Sequence, residues 1–351
     1  MKEPLKFFLV AGEPSGDLHG AKLIKAIKSL NPLTSFVGHG GSLMEGEGMK
    51  IVEHINKLSV MGFKEVVVHL PRIWKIMIST ISLIEEVKPD RIILIDYPGF
   101  NLRLAKSIYK LQIPISYFIL PQAWAWKRKR VELVKKYCTQ TYSLFPFEKS
   151  WYNSKGVNAK FFGHPFMDAE LLDETRAQLF KKHNLNQKNK IIALLPGSRQ
   201  QEIVKHWNVY IKTITLLKKE VPNLEVVIAK SDNATFPVLD KSFKIETNAK
   251  KAIIASDAAI VASGTATLEC AVEGTPFVTC YKVSWLTWLL AKYLVKIKYS
   301  SIVNLIADKE VVPEFLQSKM QPEIIKNKLV ELLDDKSELR HQMLDDFIKV
   351  K

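Results

Sequence analysis

The chain has 351 residues, a formal net charge of +15, and 47% hydrophobic and 25% charged residues. That length exceeds one ordinary core and predicts two domains, while the apolar content excludes a disordered chain. The positive balance points to anionic partners: nucleic acid, an anionic membrane face or a phosphorylated substrate.

The N-terminus enters a strand at once, without a signal-peptide pattern, so a cytoplasmic protein is expected. Residues 6–11 predict that strand, and Gly12-Glu13-Pro14-Ser15-Gly16-Asp17-Leu18-His19-Gly20 leads from it into a helical pattern over 20–30. The glycine spacing differs from GxGxxG, which argues against a nicotinamide dinucleotide. The turn reads either as strand-to-helix packing or as a polar cradle, with Ser15 and backbone amides donating to a ligand's hydroxyl or phosphate groups.

Residues 60–84 are unusually apolar for a connection between strands, with Lys64, Arg72 and Lys75 interleaved. They fit a buried amphipathic helix, or an interfacial one in which Val66, Val68, Ile73, Trp74 and Met77 enter an acyl boundary. The strand predicted at 91–95 ends at Asp96, in Asp96-Tyr97-Pro98-Gly99-Phe100-Asn101. A carboxylate there, partly desolvated, has a raised pKa and can take a proton from a substrate hydroxyl. The plainer reading is a turn cap. Strands at 115–120 and 141–145 complete the first half. Between them Trp124-Ala125-Trp126 precedes Lys127-Arg128-Lys129-Arg130, which suits lipid headgroups, stacked bases, or a solvated helix face with tryptophan packed inside.

A charged stretch without strand pattern separates Gly163-His164-Pro165 from Lys190, so the expected domains are 1–170 and 186–320, with a helical tail at 321–351. Strands are predicted at 190–195, 224–229, 258–262 and 276–280, with an amphipathic helix over 204–219. Leu195-Pro196-Gly197-Ser198-Arg199 closes the first of these strands. The Arg199 guanidinium can grip a diphosphate through two hydrogen bonds, or simply pair with Glu202. Ser263-Gly264-Thr265-Ala266-Thr267-Leu268-Glu269 follows the third strand and opens a helix, whose amides and dipole suit a phosphate. Glu269 falls one turn in, within reach of a sugar on that phosphate; a serine-capped helix is the alternative. The apolar block 283–295 is about 13 residues, short of the roughly 20 that cross a bilayer, so no integral segment is expected. Cys138, Cys270 and Cys280 form no CxxC pair, and the histidines no HxxxH, so neither a disulfide framework nor a metal site is expected. Continuous β-branched runs alternating with helices predict an α/β protein of two doubly wound parallel sheets in tandem, with ligands at the strands' carboxyl ends.

In order along the chain, the motifs resemble those of the lipid-A-disaccharide synthases. They are Ala11-Gly12-Glu13-Pro14-Ser15-Gly16-Asp17, Leu58-Ser59-Val60-Met61-Gly62-Phe63, Ile95 to Asn101, Trp124-Ala125-Trp126 with its basic follower, Phe145-Pro146-Phe147-Glu148, Gly163-His164-Pro165, Leu195 to Arg199, Ala262 to Glu269 and Asn304-Leu305-Ile306-Ala307. The resemblance spans nearly the whole chain. It implies a GT-B glycosyltransferase, two Rossmann-like domains facing across a cleft, the first facing acceptor and membrane and the second binding the UDP-sugar. The implied reaction joins UDP-2,3-diacylglucosamine to 2,3-diacylglucosamine 1-phosphate, with inversion to a β(1→6) disaccharide 1-phosphate and release of UDP, and needs no metal or other cofactor.

Carried over residue by residue, Asp96 is the base and Arg199 holds the departing diphosphate. Gly197, Ser198, Arg199, Ser263, Gly264, Thr265, Ala266, Thr267 and Glu269 bind UDP, and Gly12, Glu13, Ser15, Gly16, Asp17 and Asn304 the acceptor. Gly99 departs from the family pattern, which often has a second aspartate there. Peripheral contact with the cytoplasmic leaflet of the inner membrane is implied, self-association is left open, and nucleic acid is not an expected partner. The alternatives are another GT-B enzyme with a polyprenyl-linked acceptor, a sugar-nucleotide epimerase, or a nucleic-acid-binding protein using residues 124–136. The two enzyme alternatives share the phosphate turns, but neither accounts for the Ser-Val-Met-Gly and Trp-Ala-Trp motifs.

Overall fold

A computed structural model describes residues 3–58, 63–165, 174–231, 234–237, 239–285, 288–289 and 297–351, with the backbone alone for 63–70. The chain divides into two compact units, Met1–Pro165 and Phe166–Lys351. In the first, β1 (Lys6–Val10), α1 (Pro14–Leu30), β2 (Ser35–Gly40), α2 (Ser42–Gly46), β3 (Lys50–His54), α3 (Ile55–Leu58) and α4 (Phe63–Val87) precede β4 (Arg91–Ile95). Then come α5 (Pro98–Ile108), β5 (Ile115–Phe118), α6 (Arg130–Tyr137), β6 (Gln140–Tyr142), α7 (Pro146–Asn153) and β7 (Ala159–Lys160). The seven strands lie in the order β3-β2-β1-β4-β5-β6-β7, and every pairing is parallel.

Period-two alternation along the central strands supplies both faces of this sheet. Phe8, Val10, Ile92 and Leu94 point to one side and pack with Ile76, Met77 and Ile84 of α4 and with Phe100 and Leu104 of α5. Leu9, Ala11, Ile93 and Ile95 point to the other and meet Ala21 and Ile24 of α1 and Met44 of α2. Each of the valine, leucine, isoleucine, methionine and phenylalanine side chains among these, when fully buried, contributes about 1.5–3 kcal/mol.

The second unit runs α8 (Arg176–His183), β8 (Lys190–Leu195), α9 (Gln200–Glu220), β9 (Leu224–Ala229), β10 (Lys244–Glu246), α10 (Ala249–Ile254), β11 (Ala258–Ala262), α11 (Ala266–Glu273) and β12 (Phe277–Tyr281). A helix at Ile302–Ala307, β13 (Glu314–Leu316), and helices at Pro322–Leu333 and Glu338–Val350 complete it. The strand order is β10-β9-β8-β11-β12-β13, again all parallel. The last two helices place Ile325, Leu329, Leu332, Leu333, Met343 and Phe347 in the same core as β8, β11 and β12. Residues 321–351 are thus a packing layer of this unit and not an appended tail.

Sheet ends differ from the sequence reading for local reasons. The strand expected at 141–145 stops at Tyr142, because Phe145 already caps α7 ahead of Pro146. The strand expected to run to residue 120 ends at Phe118, and Ile119 turns to φ 65°. Strands β2, β3, β7, β10 and β13 escaped the sequence reading: β2 carries two glycines and a histidine, β7 is two residues, and β10 and β13 are three residues each.

In each sheet the strand order reverses beside the first strand, between β1 and β4 and between β8 and β11. Ligands of doubly wound sheets bind outside the carboxyl ends of the strands at such a switch point. Four of the sequence motifs occupy these positions: the turns after β1, β4, β8 and β11.

Candidate active site

In the first unit, β4 delivers Asp96 to the sheet's carboxyl edge in an uncommon backbone conformation. Asp96 and Tyr97 both adopt left-handed φ, at 44° and 46°, a strain on the order of 1–3 kcal/mol for each such residue. Side chains brace the turn. Asn101 Nδ2, wholly buried, donates to the carbonyls of Asp96 at 2.8 Å, Ile95 at 3.2 Å and Val10 at 3.3 Å. The Tyr117 hydroxyl donates to the Asp96 carbonyl at 2.7 Å, and the Tyr97 hydroxyl to the Leu58 carbonyl at 2.9 Å. Burial pushes the Asp96 carboxyl up to about 6, and the negative charge of Glu13 adds to that. The Tyr97 amide and the Arg130 cation pull the other way. A carboxyl poised there is ionised at neutral pH yet basic enough to accept a proton.

The turn after β1 meets this loop directly. A Cβ on Gly12 would land in the ring of Tyr97, and one on Gly16 would crowd Ala11. These two glycines are explained by packing. Glu13 and Ser15 are exposed at the start of α1. Asp17 is not available to a ligand, contrary to expectation: it is buried and its carboxylate accepts from the amides of Gly41 (2.7 Å), Leu43 and Met44 (both 3.1 Å). It caps α2.

Beyond β5, Trp124 and Trp126 part ways. Trp124 Nε1 donates to the buried Glu148 at 2.9 Å, and Glu148 also accepts from the amides of Leu144 and Phe145. Burial raises the Glu148 carboxyl to about 7 against those donors, with Asp96 adding to the rise. Trp126 is exposed, with Lys127 Nζ 4.3 Å from its ring centroid and Arg130 also over the ring. On α4, Trp74 is 68% exposed, but Met77 belongs to the core and Ile73 packs against it. A membrane role for Met77 is therefore excluded by its burial, while Ile78, outside the five residues expected to meet the membrane, is an exposed apolar residue of that helix. The side chains of Val66 and Val68, and residues 59–62 of the Leu58 to Phe63 motif, lie outside the described residues.

In the second unit, Gly197 takes φ 119°, and a Cβ there would collide with the Glu202 carboxylate, so this turn requires glycine. Ser198 and Arg199 follow, both exposed. The Arg199 side chain is 62% exposed and pairs only loosely with Glu202, at 3.5 Å. The turn after β11 passes through Gly264 at φ 156° into α11. Among the described residues no group accepts from the amides of Gly264, Thr265 and Ala266, which leaves three donors and the positive end of the helix dipole at the start of α11. Ser263 Oγ donates to the Ser300 carbonyl at 2.7 Å. Thr267 is buried with Oγ1 on the Gly264 carbonyl, closing the turn from within and so not reaching a ligand. Glu269 is half-buried, its pKa raised chiefly by burial, with Lys250 opposing and Glu273 assisting.

Asn304 is displaced from its expected role. It is wholly buried, with Nδ2 on the Val312 carbonyl and the Glu314 carboxylate and Oδ1 accepting from the amides of Val311 and Val312. All four of its hydrogen-bonding positions are taken by the fold. The same Glu314 carboxylate accepts from the amides of Ser300 and Ser301, and thereby holds the carbonyl that anchors Ser263. Glu148, Tyr117, Asn101, Glu314 and His206 are the residues that sequence reasoning missed as supports. Asn101 and Glu148 stand inside quoted motifs, but nothing local marks the other three. Among the described residues no cluster of three His, Cys, Asp or Glu side chains could hold a metal, and no helix is long and apolar enough to cross a membrane.

A family model described as "Lipid-A-disaccharide synthetase" matches residues 7–350. A lipid-A-disaccharide synthase of Myxococcus xanthus is 35% identical over 333 residues, covering 93% of this chain and 87% of that protein. One of Haemophilus influenzae is 36% identical over 348 residues, covering 96% and 89%. Among solved structures, the UDP-GlcNAc 2-epimerase of Neisseria meningitidis bound to UDP-GlcNAc superposes with a TM-score of 0.63 at 12% identity, covering 97% of this chain and 94% of that one. At that identity the last likeness concerns the fold alone.

Proposed function

The chain belongs to the lipid-A-disaccharide synthetase family and is a glycosyltransferase of lipid A disaccharide synthesis, and on that premise we propose how its two units divide the chemistry. The second unit takes the UDP-sugar donor. Amides of Gly264, Thr265 and Ala266 with the Ser263 turn receive the diphosphate, Gly197 and Ser198 line the facing turn, Glu269 accepts from the ribose, and Arg199 neutralises the charge that builds on UDP as it leaves. The first unit takes the lipid acceptor beside Glu13 and Ser15, with Asp96 as base.

The step balances simply. Asp96 accepts the proton of the acceptor's 6-hydroxyl, the oxygen attacks the anomeric carbon, and the bond from that carbon to the diphosphate oxygen breaks. UDP departs with the electron pair, opposite the incoming oxygen, so the anomeric configuration inverts. The fold class implied by the resemblance, two doubly wound parallel sheets in one chain, is the one observed. Peripheral attachment to the cytoplasmic leaflet, through Trp74 on α4 and the Trp126 cation patch, belongs to the same proposal.

The observation that carries this reading is the location of four family motifs at both switch points of a chain matched from end to end. The epimerase alternative shares the fold, but the full-length family match favours the synthase. Incubation with UDP-diacylglucosamine and the diacylglucosamine 1-phosphate tests it: UDP release must require the monophosphate acceptor. Release without that lipid, or none with it, overturns the reading.

A further inference from the structure

His206 stands on the second turn of α9, wholly buried, and makes two good hydrogen bonds to segments far apart in sequence. Nδ1 lies 2.8 Å from the Pro196 carbonyl, and the Lys282 amide donates to Nε2 across 3.0 Å. An amide donating to Nε2 fixes the lone pair there, so the ring proton sits on Nδ1 and goes to Pro196. The imidazole is held between Tyr210, nearly parallel to it with ring centroids 6.0 Å apart, and Tyr281 at 5.6 Å. Burial lowers its pKa; the charged groups acting on it are Glu202 and Lys205, both of α9, the first favouring the proton and the second opposing it.

We propose that His206 is the positioning residue of the Arg199 turn, a neutral bridge that ties the carbonyl of Pro196 to the amide that follows β12. The other contacts of this turn tie it to its own helix and to the Thr235 segment: the Glu202 and Ile203 amides donate to the Arg199 carbonyl at 2.9 and 3.1 Å, and Gln200 exchanges hydrogen bonds with the Thr235 backbone. The His206 bridge is what links its Pro196 end to the segment after β12. The Arg199 amide reaches Glu202 only at 3.4 Å, and the guanidinium is exposed. Without the bridge the buried Pro196 carbonyl and the part-buried Lys282 amide lose their partners, and the turn drifts relative to the sheet. A drift of about 1 Å at a group that contacts reacting atoms costs roughly a hundredfold in rate. The proposal rests on the reading of Arg199 as the diphosphate clamp.

The test uses the full-length protein as wild type, His206→Phe, His206→Gln, Arg199→Ala and the Arg199→Ala/His206→Phe double variant. Calorimetry gives UDP affinity, and initial rates give KM and kcat for donor and acceptor. Phenylalanine keeps a ring between the two tyrosines and removes both hydrogen bonds, whereas glutamine can donate and accept as the imidazole does. His206→Phe is expected to bind UDP roughly tenfold more weakly and to lower kcat, with the acceptor KM unmoved. His206→Gln should recover most of that loss, and the Phe substitution should add nothing to Arg199→Ala.

Unchanged UDP affinity in His206→Phe, equal losses in the Phe and Gln variants, or additive losses in the double variant each overturn the proposal alone. An Arg199→Ala protein that binds UDP as tightly as wild type overturns the reading of the turn, and the proposal with it. Should His206→Phe not fold, 15N spectroscopy of the wild-type ring decides. A neutral Nδ1–H tautomer whose signals move on adding UDP is expected; a protonated ring, or one indifferent to UDP, sinks the idea.

Discussion

Asp96 joins a strained backbone to a desolvated carboxyl, and both features serve proton acceptance. Its pKa of about 6 sets the acid limb of the reaction: turnover should rise as pH climbs through that value and level off above it. Asp96→Asn is expected to keep UDP affinity and lower kcat on the order of a hundredfold to ten-thousandfold, read by calorimetry beside initial rates. An Asn variant with wild-type turnover removes Asp96 as the base. Asn304 makes the opposite case at the same scale. With every polar atom engaged inside the fold, Asn304→Ala leaves two buried amides, a buried carbonyl and a carboxylate short of partners. It should lower thermal stability by about 1–3 kcal/mol, whether or not a substrate is present. A variant as stable as wild type but weaker for lipid acceptor would return Asn304 to the site.

Helix α4 carries the apolar surface most suited to a membrane, yet only part of it is outward. Trp74 and Ile78 are exposed while Ile76, Met77 and Ile84 hold the sheet. Replacing Trp74 and Ile78 with serine should reduce sedimentation with anionic vesicles severalfold and leave the melting temperature nearly unchanged, since exposed positions contribute little to stability. Undiminished sedimentation would move the contact to another segment. The α7 end carries a pH signal. The folded pKa of Glu148, about 7, lies above its ordinary 4.5, so its contribution is fully present below 4.5 and is lost as pH rises through 7. Glu246 behaves inversely: Lys182, the Asn248 amide and His183 outweigh burial and hold it down to about 2. Its contribution is present above 4.5 and lost as pH falls through 2. The stability of wild type relative to Glu148→Gln, read from urea midpoints, should therefore fall from pH 5 to pH 8 by on the order of 3 kcal/mol, a difference in which the opposite contributions of His39 and His164, both lowered to about 4 by burial, cancel. A slope unaltered in the variant assigns it to other groups.

For the whole molecule, the net charge of +15 acts at a distance that ordinary salt controls. Association with anionic vesicles should weaken as ionic strength rises from about 0.01 M to 1 M, over which the screening length shrinks from about 30 Å to 3 Å. Binding to neutral vesicles should stay weak throughout. Salt-independent association would assign it to apolar insertion alone. UDP at about a hundred times its dissociation constant should stabilise the fold by about 2.7 kcal/mol, and Arg199→Ala should reduce that gain at fixed UDP.

The α/β class, the turns that carry chemistry and the family are all legible in contiguous residues. A β-branched run ending in Gly-Ser-Arg or Ser-Gly-Thr is a strand meeting a helix start, whatever lies elsewhere in the chain. Which polar residues are free emerges from long-range packing. Asp17 is taken by amides 24 to 27 residues away. His206 reaches one 76 residues away. Asn304 is enclosed by a turn that pairing of β12 with β13 brings close. Met77 turns inward because α4 packs on the sheet with that face. A side chain's availability depends on which distant backbone groups lack partners once the sheets form. No local pattern encodes that balance.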